Sequence, residues 1–327
     1  MAEKRYVLRR GRNVRARPHS RDRGFLALTP AIEARGLAKR YGAAAAVNDL
    51  TLSVAPGEVF GFLGPNGAGK TTAVKMLLGL VHPSGGAAHV LGKPLGDRRA
   101  RRAIGYLPEL FRYQEWLTAR EVLAFHGALL GVDARRRRSG ADGVLDLVGL
   151  RARGGERVGT YSKGMQQRLG IAVALLGDPR LVVLDEPTSA LDPVGRRDVR
   201  DLLASLRARG VTVFLNSHLL TEVERICDRV AIVDRGSVIA SGAIASIVGT
   251  SRAVRIRASG GRDALESAAA RFGTVVAEDG WMTIGGIDAA AIPDAVAALI
   301  GAGARISAVE PLHATLEDRF MELVREP

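Results

Sequence analysis

Nine consecutive residues, Gly64-Pro65-Asn66-Gly67-Ala68-Gly69-Lys70-Thr71-Thr72, combine small side chains with one ammonium and two hydroxyls. Gly64, Gly69, Lys70 and Thr71 stand at the spacing G-x-x-x-x-G-K-T. Small residues let successive backbone N–H groups turn inward around phosphate oxygens. Lys70 adds a point charge for β- and γ-phosphates, and the Thr71 hydroxyl offers an oxygen to magnesium. A second pair, Asp185-Glu186, closes the apolar run Leu181 to Leu184. An acid at the carboxyl end of a buried strand lies where open α/β sheets bind ligands, so Asp185 can hold magnesium directly or through water. Glu186, one residue on, points elsewhere and is suited to polarising an attacking water. Phosphoryl transfer needs this division of work, because positioning and charge stabilisation carry most of its catalysis. His218, ending "FLNSH", could reach a γ-phosphate, and Tyr41 in "KRYG" could stack on a base. Taken singly, the acids also read as members of a structural ion pair with a cationic side chain, the histidine and the tyrosine as packing.

The elements that must position these groups are legible from periodicity. "NDLTLSV" alternates as a half-buried strand, Pro56-Gly57 turns the chain, and "EVFGFLG" is a buried strand leading into the glycine loop. An apolar-rich helix follows through Met76, Leu77 and Leu80, giving the strand–loop–helix context that a phosphate loop requires. Thr118 and Glu121 form a capping box ahead of a further helix. "LVVLDEPTS" and "VTVFLNSH" read as buried strands, and "RVAIVDRGSVIASG" as a hairpin about Asp234-Arg235-Gly236. Beyond about Ile247 the order β-α-β-β-α-β is that of a split ferredoxin-like unit, and "ATLEDRFMELV" is a last helix. One more stretch, "YSKGMQQRLG", opens a helix whose unpaired N–H groups favour an anion.

The chain of 327 residues is 47% hydrophobic and 25% charged, within the range of soluble globular proteins, and long enough for more than one domain. No apolar run approaches the roughly 20 residues that span a bilayer, so any membrane crossing falls to other chains. The single cysteine, Cys227, excludes an intrachain disulfide, and no Cys/His cluster has zinc spacing. Of the net charge of +13, +7 sits in residues 1–30, which have no apolar core of a secretory signal and read as a disordered basic extension. Arg135 to Arg138 form a second basic run, read as a solvated loop or helix end.

In combination and order, "KRYG", "GPNGAGKTT", "GYLPE", "YSKGMQQR", "LVVLDEPTSALD" and "NSH" resemble the nucleotide-binding subunit of ATP-binding cassette (ABC) transporters. "LEDRFMEL" near the end is similar to the daunorubicin-resistance type of exporter ATPase. The resemblance implies an α/β fold: a P-loop nucleotide-binding domain over residues 31–246 with an inserted helical subdomain, then a C-terminal α+β accessory domain over 247–327. It implies ATP and Mg2+ as cofactors, with residues 64–72 and Tyr41 holding the nucleotide. Thr71, Asp185 and Glu109 would hold the metal; Lys70, Glu186 and His218 would serve catalysis. It also implies a head-to-tail dimer, of two copies or of homologous subunits. There Ser162 and Gly164 would face ATP bound on the neighbouring chain, and Asp192 would lie at the same seam. A separately encoded transmembrane permease would be the partner, with the ATPase peripheral on the cytoplasmic face of the membrane.

Two motifs depart from the family pattern. The signature, commonly Leu-Ser-Gly-Gly-Gln, reads Tyr161-Ser162-Lys163-Gly164-Met165, keeping the serine and the second glycine, and Glu109 stands where a loop usually supplies a magnesium-contacting glutamine. Action on nucleic acid or the ribosome is the alternative, but the interval from phosphate loop to signature carries neither heptads nor cysteines. A single cassette also argues against translation factors, and the absence of Asn-Lys-x-Asp against GTPases.

Overall fold

Three segments, "VFGFL", "LVVLD" and "TVFLN", bury every one of their residues. A strand apolar on both faces needs cover on both, which is the condition of a parallel sheet between helices. The computed structural model describes residues 29–249, 253–312 and 314–325; all but the last two residues of the basic extension lie outside it.

In chain order the first unit runs β1 (Ile32–Tyr41), β2 (Ala44–Val54), β3 (Val59–Leu63), α1 (Lys70–Leu77), β4 (Gly85–Val90), β5 (Lys93–Pro94), α2 (Arg98–Arg102) and β6 (Ile104–Leu107). It continues through α3 (Ala119–Leu129), α4 (Ala134–Leu147), α5 (Lys163–Ala174), β7 (Leu181–Asp185) and α6 (Pro193–Ala208). It closes with β8 (Thr212–Asn216), α7 (Leu220–Ile226), β9 (Arg229–Asp234), β10 (Ser237–Ala243) and α8 (Ile244–Val248). The sheet order is β5-β4-β1-β2-β10-β9-β3-β8-β7-β6. From β9 to β6 all pairs are parallel, while β1, β2, β4 and β5 form an antiparallel wing joined at Ser237↔Asp49.

Strand alternation divides the core. Phe60, Phe62 and Phe214 face α1 on one side, with Val74 and Met76. Val59, Leu63, Leu184 and Leu215 face the other, where α3, α4 and α5 pack into a helical layer. Thr118 and Glu121 make the reciprocal capping box at the start of α3. The helix after the glycine loop stops at Leu77, short of the expected Leu80, which is exposed because Gly79 takes φ 68° and turns the chain. The Arg135–Arg138 run falls within the first turns of α4.

The second unit is β11 (Ala253–Ser259), α9 (Arg262–Ala269), β12 (Thr274–Glu278), β13 (Trp281–Gly285), α10 (Ile292–Gly301) and β14 (Arg305–Leu312). Its antiparallel order, β12-β13-β11-β14, is ferredoxin-like, with Val254, Ile256, Ile284 and Leu299 as its core. The last helix, α11 (Leu316–Arg325), leaves this sheet and packs on α7 and α8 of the first unit.

One close approach sets the position of α5. A Cβ on Gly105 of β6 would stand 1.8 Å from the Ala174 carbonyl at the end of α5, and one on Gly170 would strike Leu107 and Phe111. The helix thus lies directly on β6 through two glycines. Gly105→Ala must push backbone against backbone, so we expect it to destabilise the first unit by about 2 kcal/mol. A lowered thermal midpoint, with far-UV dichroism unchanged, checks this.

Candidate functional site

The carboxyl ends of β3, β7 and β8 converge on one cavity of about 630 Å3. After β3, Gly64 cannot carry a side chain, because a Cβ would sit 2.3 Å from the Val233 carbonyl. Gly69 takes φ +92°, with its Cβ position 2.2 Å from the Ala46 carbonyl. The loop therefore lies against β2 and β9, and α1 begins at Lys70. The Lys70 ammonium donates to the carbonyls of Gly64 (2.6 Å) and Pro65 (2.9 Å). A third ammonium proton is left for a ligand oxygen.

Asp185 ends β7 and accepts at Oδ1 from Asn216 Nδ2 of β8 at 2.6 Å. Its neighbour Glu186 takes φ 52°, a left-handed conformation rare for a residue with a Cβ and concentrated at functional sites. That turn sends the two carboxylates in different directions. The Glu186 backbone is anchored: its N–H donates to the Asn216 carbonyl (2.9 Å), and its own carbonyl accepts from Ser189 and Gln167. Its carboxylate oxygen Oε1 accepts from the His218 backbone N–H (3.0 Å) and lies 2.8 Å from His218 Nδ1. The other oxygen, Oε2, is buried without a protein partner, as is Asn216 Oδ1.

Burial dominates the electrostatics. It pushes the Asp185 carboxyl upward, against the Asn216 hydrogen bond, with Glu109 and Glu186 adding to the rise and Lys70 opposing it. Burial likewise lowers the Lys70 ammonium, although Glu186, Asp185 and Glu109 all oppose that shift. The Tyr106 hydroxyl of β6, desolvated and facing Asp185 and Glu109, is pushed up to about 12. Without a ligand, three carboxylates thus face one ammonium.

The expected site residues fall into two groups. Gly64, Pro65, Asn66, Gly67, Gly69, Lys70, Thr71, Thr72, Glu109, Asp185, Glu186 and His218 line the cavity. Ala68 is buried beneath the loop, with its carbonyl accepting from the Gly236 N–H. Tyr41 lies outside the lining, exposed at the end of β1 with the Lys39 ammonium 5.0 Å over its ring. Ser162, Gly164 and Asp192 also lie outside the lining, in a separate cluster at the starts of α5 and α6. There Ser162 Oγ caps α5 at Met165 N–H, and Asp192 Oδ1 caps α6 at Gly195 N–H. Leu191 joins the two, since a Cβ on Gly164 would be 3.3 Å from its side chain. Sequence reasoning missed Ala46, Asn216, Ser217, Leu220 and Phe320. Asn216 and Ser217 had a local signal, being the two residues before His218; Phe320 lies within "LEDRFMEL", a motif that by itself points to no nucleotide contact.

A family model described as ABC transporter matches residues 47–189. An ABC transporter ATP-binding protein of Synechocystis is 41% identical over 281 residues, 85% of this chain and 78% of that protein. The Nod factor export ATP-binding protein I of a Rhizobium strain is 42% identical over 214 residues, 65% of this chain and 70% of that one. The bacitracin transport ATP-binding protein of Bacillus licheniformis is 41% identical over 211 residues, 64% and 68% of the respective chains. Among solved structures, an ATP-binding subunit of an ABC transporter superposes with TM-score 0.61 at 32% identity, over 66% of this chain and 91% of that one. A dimeric ATP-binding cassette in a post-hydrolysis state, bound to ADP and Pi, gives TM-score 0.59 at 25% identity, over 65% of this chain and 98% of that one.

The raised Asp185 carboxyl carries a sign that can be measured. The folded chain binds this proton more tightly than the unfolded chain, so folding loses stability as pH rises from the ordinary aspartate value through the raised one. In nucleotide-free protein, Asp185→Asn removes that penalty while keeping an acceptor for Asn216. It should therefore raise the thermal midpoint near pH 8. The gain should shrink as pH falls towards the ordinary aspartate value, because the folded carboxyl takes up its proton first. Melting curves of the two proteins across that range check this.

Proposed function

The chain belongs to the ATP-binding subunits of ABC transporters, ATPases that serve transport, and from that premise we propose how its own residues divide the work. ATP is held by the loop Gly64–Thr72 and completed by the α5 start of a second ATPase subunit. The observation that carries this is the separation of the two groups. The cavity is lined by Lys70, Glu186 and His218, the residues proposed for hydrolysis, whereas Ser162, Gly164 and Asp192 cluster outside its lining on the same chain. A helix N-terminus stabilises an anion only when the anion sits at it. Each chain thus carries two half-sites, and head-to-tail pairing joins unlike halves.

Magnesium fits the donor set of Thr71, Asp185 and Glu109, which is all oxygen, with the ligand-free excess of negative charge described above. When bound there, it would neutralise phosphate oxygens. Lys70 offers its remaining proton to a terminal phosphate oxygen. Glu186 Oε2, buried and unpartnered, accepts from a water and turns that water's lone pair to phosphorus. His218, held through Nδ1 by Glu186, presents its other ring nitrogen to the phosphoryl group.

No described helix is long and apolar enough to cross a membrane. Membership among the ATP-binding subunits of ABC transporters supports peripheral action at the cytoplasmic face, against a separately encoded transmembrane partner. Relatives named for Nod factor export and bacitracin transport support export over action on nucleic acid or the ribosome.

Glu186→Gln should retain ATP binding and lose about 100-fold or more of turnover. ATP-bound dimer should accumulate on size exclusion; hydrolysis near the parent rate would remove Glu186 from its role. Ser162→Arg should abolish hydrolysis while the monomer binds nucleotide with parent affinity. A monomer that hydrolyses ATP as fast as the dimer would end the shared-site reading.

A further inference from the structure

The C-terminal helix reaches the nucleotide cavity. Phe320 of α11 lines it together with Leu220, Glu186 and His218, although 100 or more residues separate Phe320 from each. α11 is fixed at its start by a capping box in which Thr315 N–H and Oγ1 both donate to Asp318 Oδ2, and Asp318 N–H donates to Thr315 Oγ1. Leu316 is fully buried, and its N–H donates to Glu224 Oε2 on α7 at 3.0 Å. Phe320, Leu323 and Val324 pack against the first unit's core.

α7 is the helix that starts two residues after His218, so its position sets that of the histidine. It is clamped from three sides. Glu222 accepts two hydrogen bonds from Arg200 of α6 (3.0 and 2.8 Å), Val223 is buried in the core, and Glu224 takes the N–H of Leu316. The turn before α7 is held by hydrogen bonds from His218 N–H to Glu186 Oε1 and from Leu219 N–H to Ser217 Oγ, while His218 itself is exposed. Phe320 stands at the cavity wall beside this turn. On its other side only residues 313–315 connect α11 to β14.

We propose that Phe320 is a positioning residue for the His218–Glu186 pair, through which the C-terminal α+β unit sets the rate of ATP hydrolysis without altering ATP affinity. The proposal rests on the ATPase reading above and adds a control element to the same site. Phe320 holds the turn at residues 217–220 so that His218 stays on Glu186. A shift of the C-terminal sheet, transmitted along the short connection to α11, loosens that hold.

The test compares full-length Phe320→Ala, Phe320→Leu and Glu224→Ala with the parent. ATP turnover is measured at saturating ATP, and binding is measured with a fluorescent ATP analogue. Phe320→Ala should lower kcat about tenfold, because small misplacements at a reacting centre are costly. KM and analogue affinity should stay within twofold. Phe320→Leu, which keeps most of the apolar volume, should recover at least half of the parent kcat. Glu224→Ala, which frees the start of α11 without touching the cavity lining, should reproduce the kcat loss in weaker form. A Phe320→Ala kcat within twofold of parent overturns the proposal. So does analogue affinity falling in step with kcat, which would make Phe320 part of the nucleotide-binding wall. If Phe320→Ala fails to fold, an unchanged kcat in Glu224→Ala overturns it. Glu186→Gln is run alongside: if it hydrolyses normally, the ATPase assignment of the site fails; if only the Phe320 series is flat, the positioning role alone fails.

Discussion

The adjoining ends of β7 and β8 are tied by two hydrogen bonds. Asn216 donates from its side chain to the Asp185 carboxylate, and its carbonyl accepts the Glu186 N–H. Between those bonds the backbone passes from extended to left-handed at Glu186. Residues held in such conformations persist only where their surroundings over-determine them. Here the surroundings are named: Gln167 and Ser189 on the carbonyl, Asn216 on the N–H, and the backbone N–H and ring Nδ1 of His218 on the carboxylate. Two adjacent acids can therefore serve different atoms. Asp185 faces the phosphate loop, and Glu186 faces the histidine. Without the tie, sequence neighbours on a strand would diverge to opposite faces of the sheet, and one would be lost into the core.

Stability and function oppose each other at this cavity. Asp185 is 2% exposed and Glu186 7%, so both carboxylates have given up most of their water, and Lys70 alone offsets them within the lining. Burial outweighs the attraction between Lys70 and the acids in both directions, raising Asp185 and lowering Lys70. A nucleotide with its cation would change that balance. The cation proposed there would supply positive charge to the acids, and the phosphates negative charge to Lys70, so each buried group would gain a partner. Binding is thereby coupled to local stability, and the ligand-free site is expected to be the softer state.

What could be read from residue order, and what could not, follows from the range of the interactions. "VFGFL", "LVVLD" and "TVFLN" declare themselves because parallel strands bury both faces and need no partner to be recognised. The antiparallel wing does not. In β1 the inward residues are Ile32, Ala34 and then Leu37, because Gly36 at φ 57° inserts a bulge that breaks the alternation. β4 is glycine- and alanine-rich, with no strand propensity of its own; Gly86 is required because a Cβ there would meet the Gly36 carbonyl at 2.1 Å. The two irregularities are each other's cause, and neither is visible alone. The site shows the same limit. Contiguous motifs identify the phosphate loop and the acids, whereas Asn216 takes its meaning from a hydrogen bond to Asp185, 31 residues earlier.

The ferredoxin-like unit differs from the first unit in how it is joined to the chemistry. Its sheet and two helices close around their own core, led by Ile256, Ile284 and Leu299. Yet the helix that follows it, α11, belongs energetically to the first unit, where Leu316 is part of the main core. A chain that makes a closed unit and then returns to the unit before it is tied at both ends, by β11 entering and α11 returning. Such a tether restricts how the ferredoxin-like sheet can move relative to the ATPase sheet. It also directs the remaining freedom to the place where α11 meets α7, the helix that begins just after His218. The amphipathic spacing of Leu316, Phe320, Leu323 and Val324 explains why that helix docks. The three residues between β14 and Leu316 explain why it has little room to dock elsewhere. Under the positioning role proposed for Phe320, control of turnover needs no large rearrangement, only a small displacement at one helix contact beside the Glu186–His218 pair.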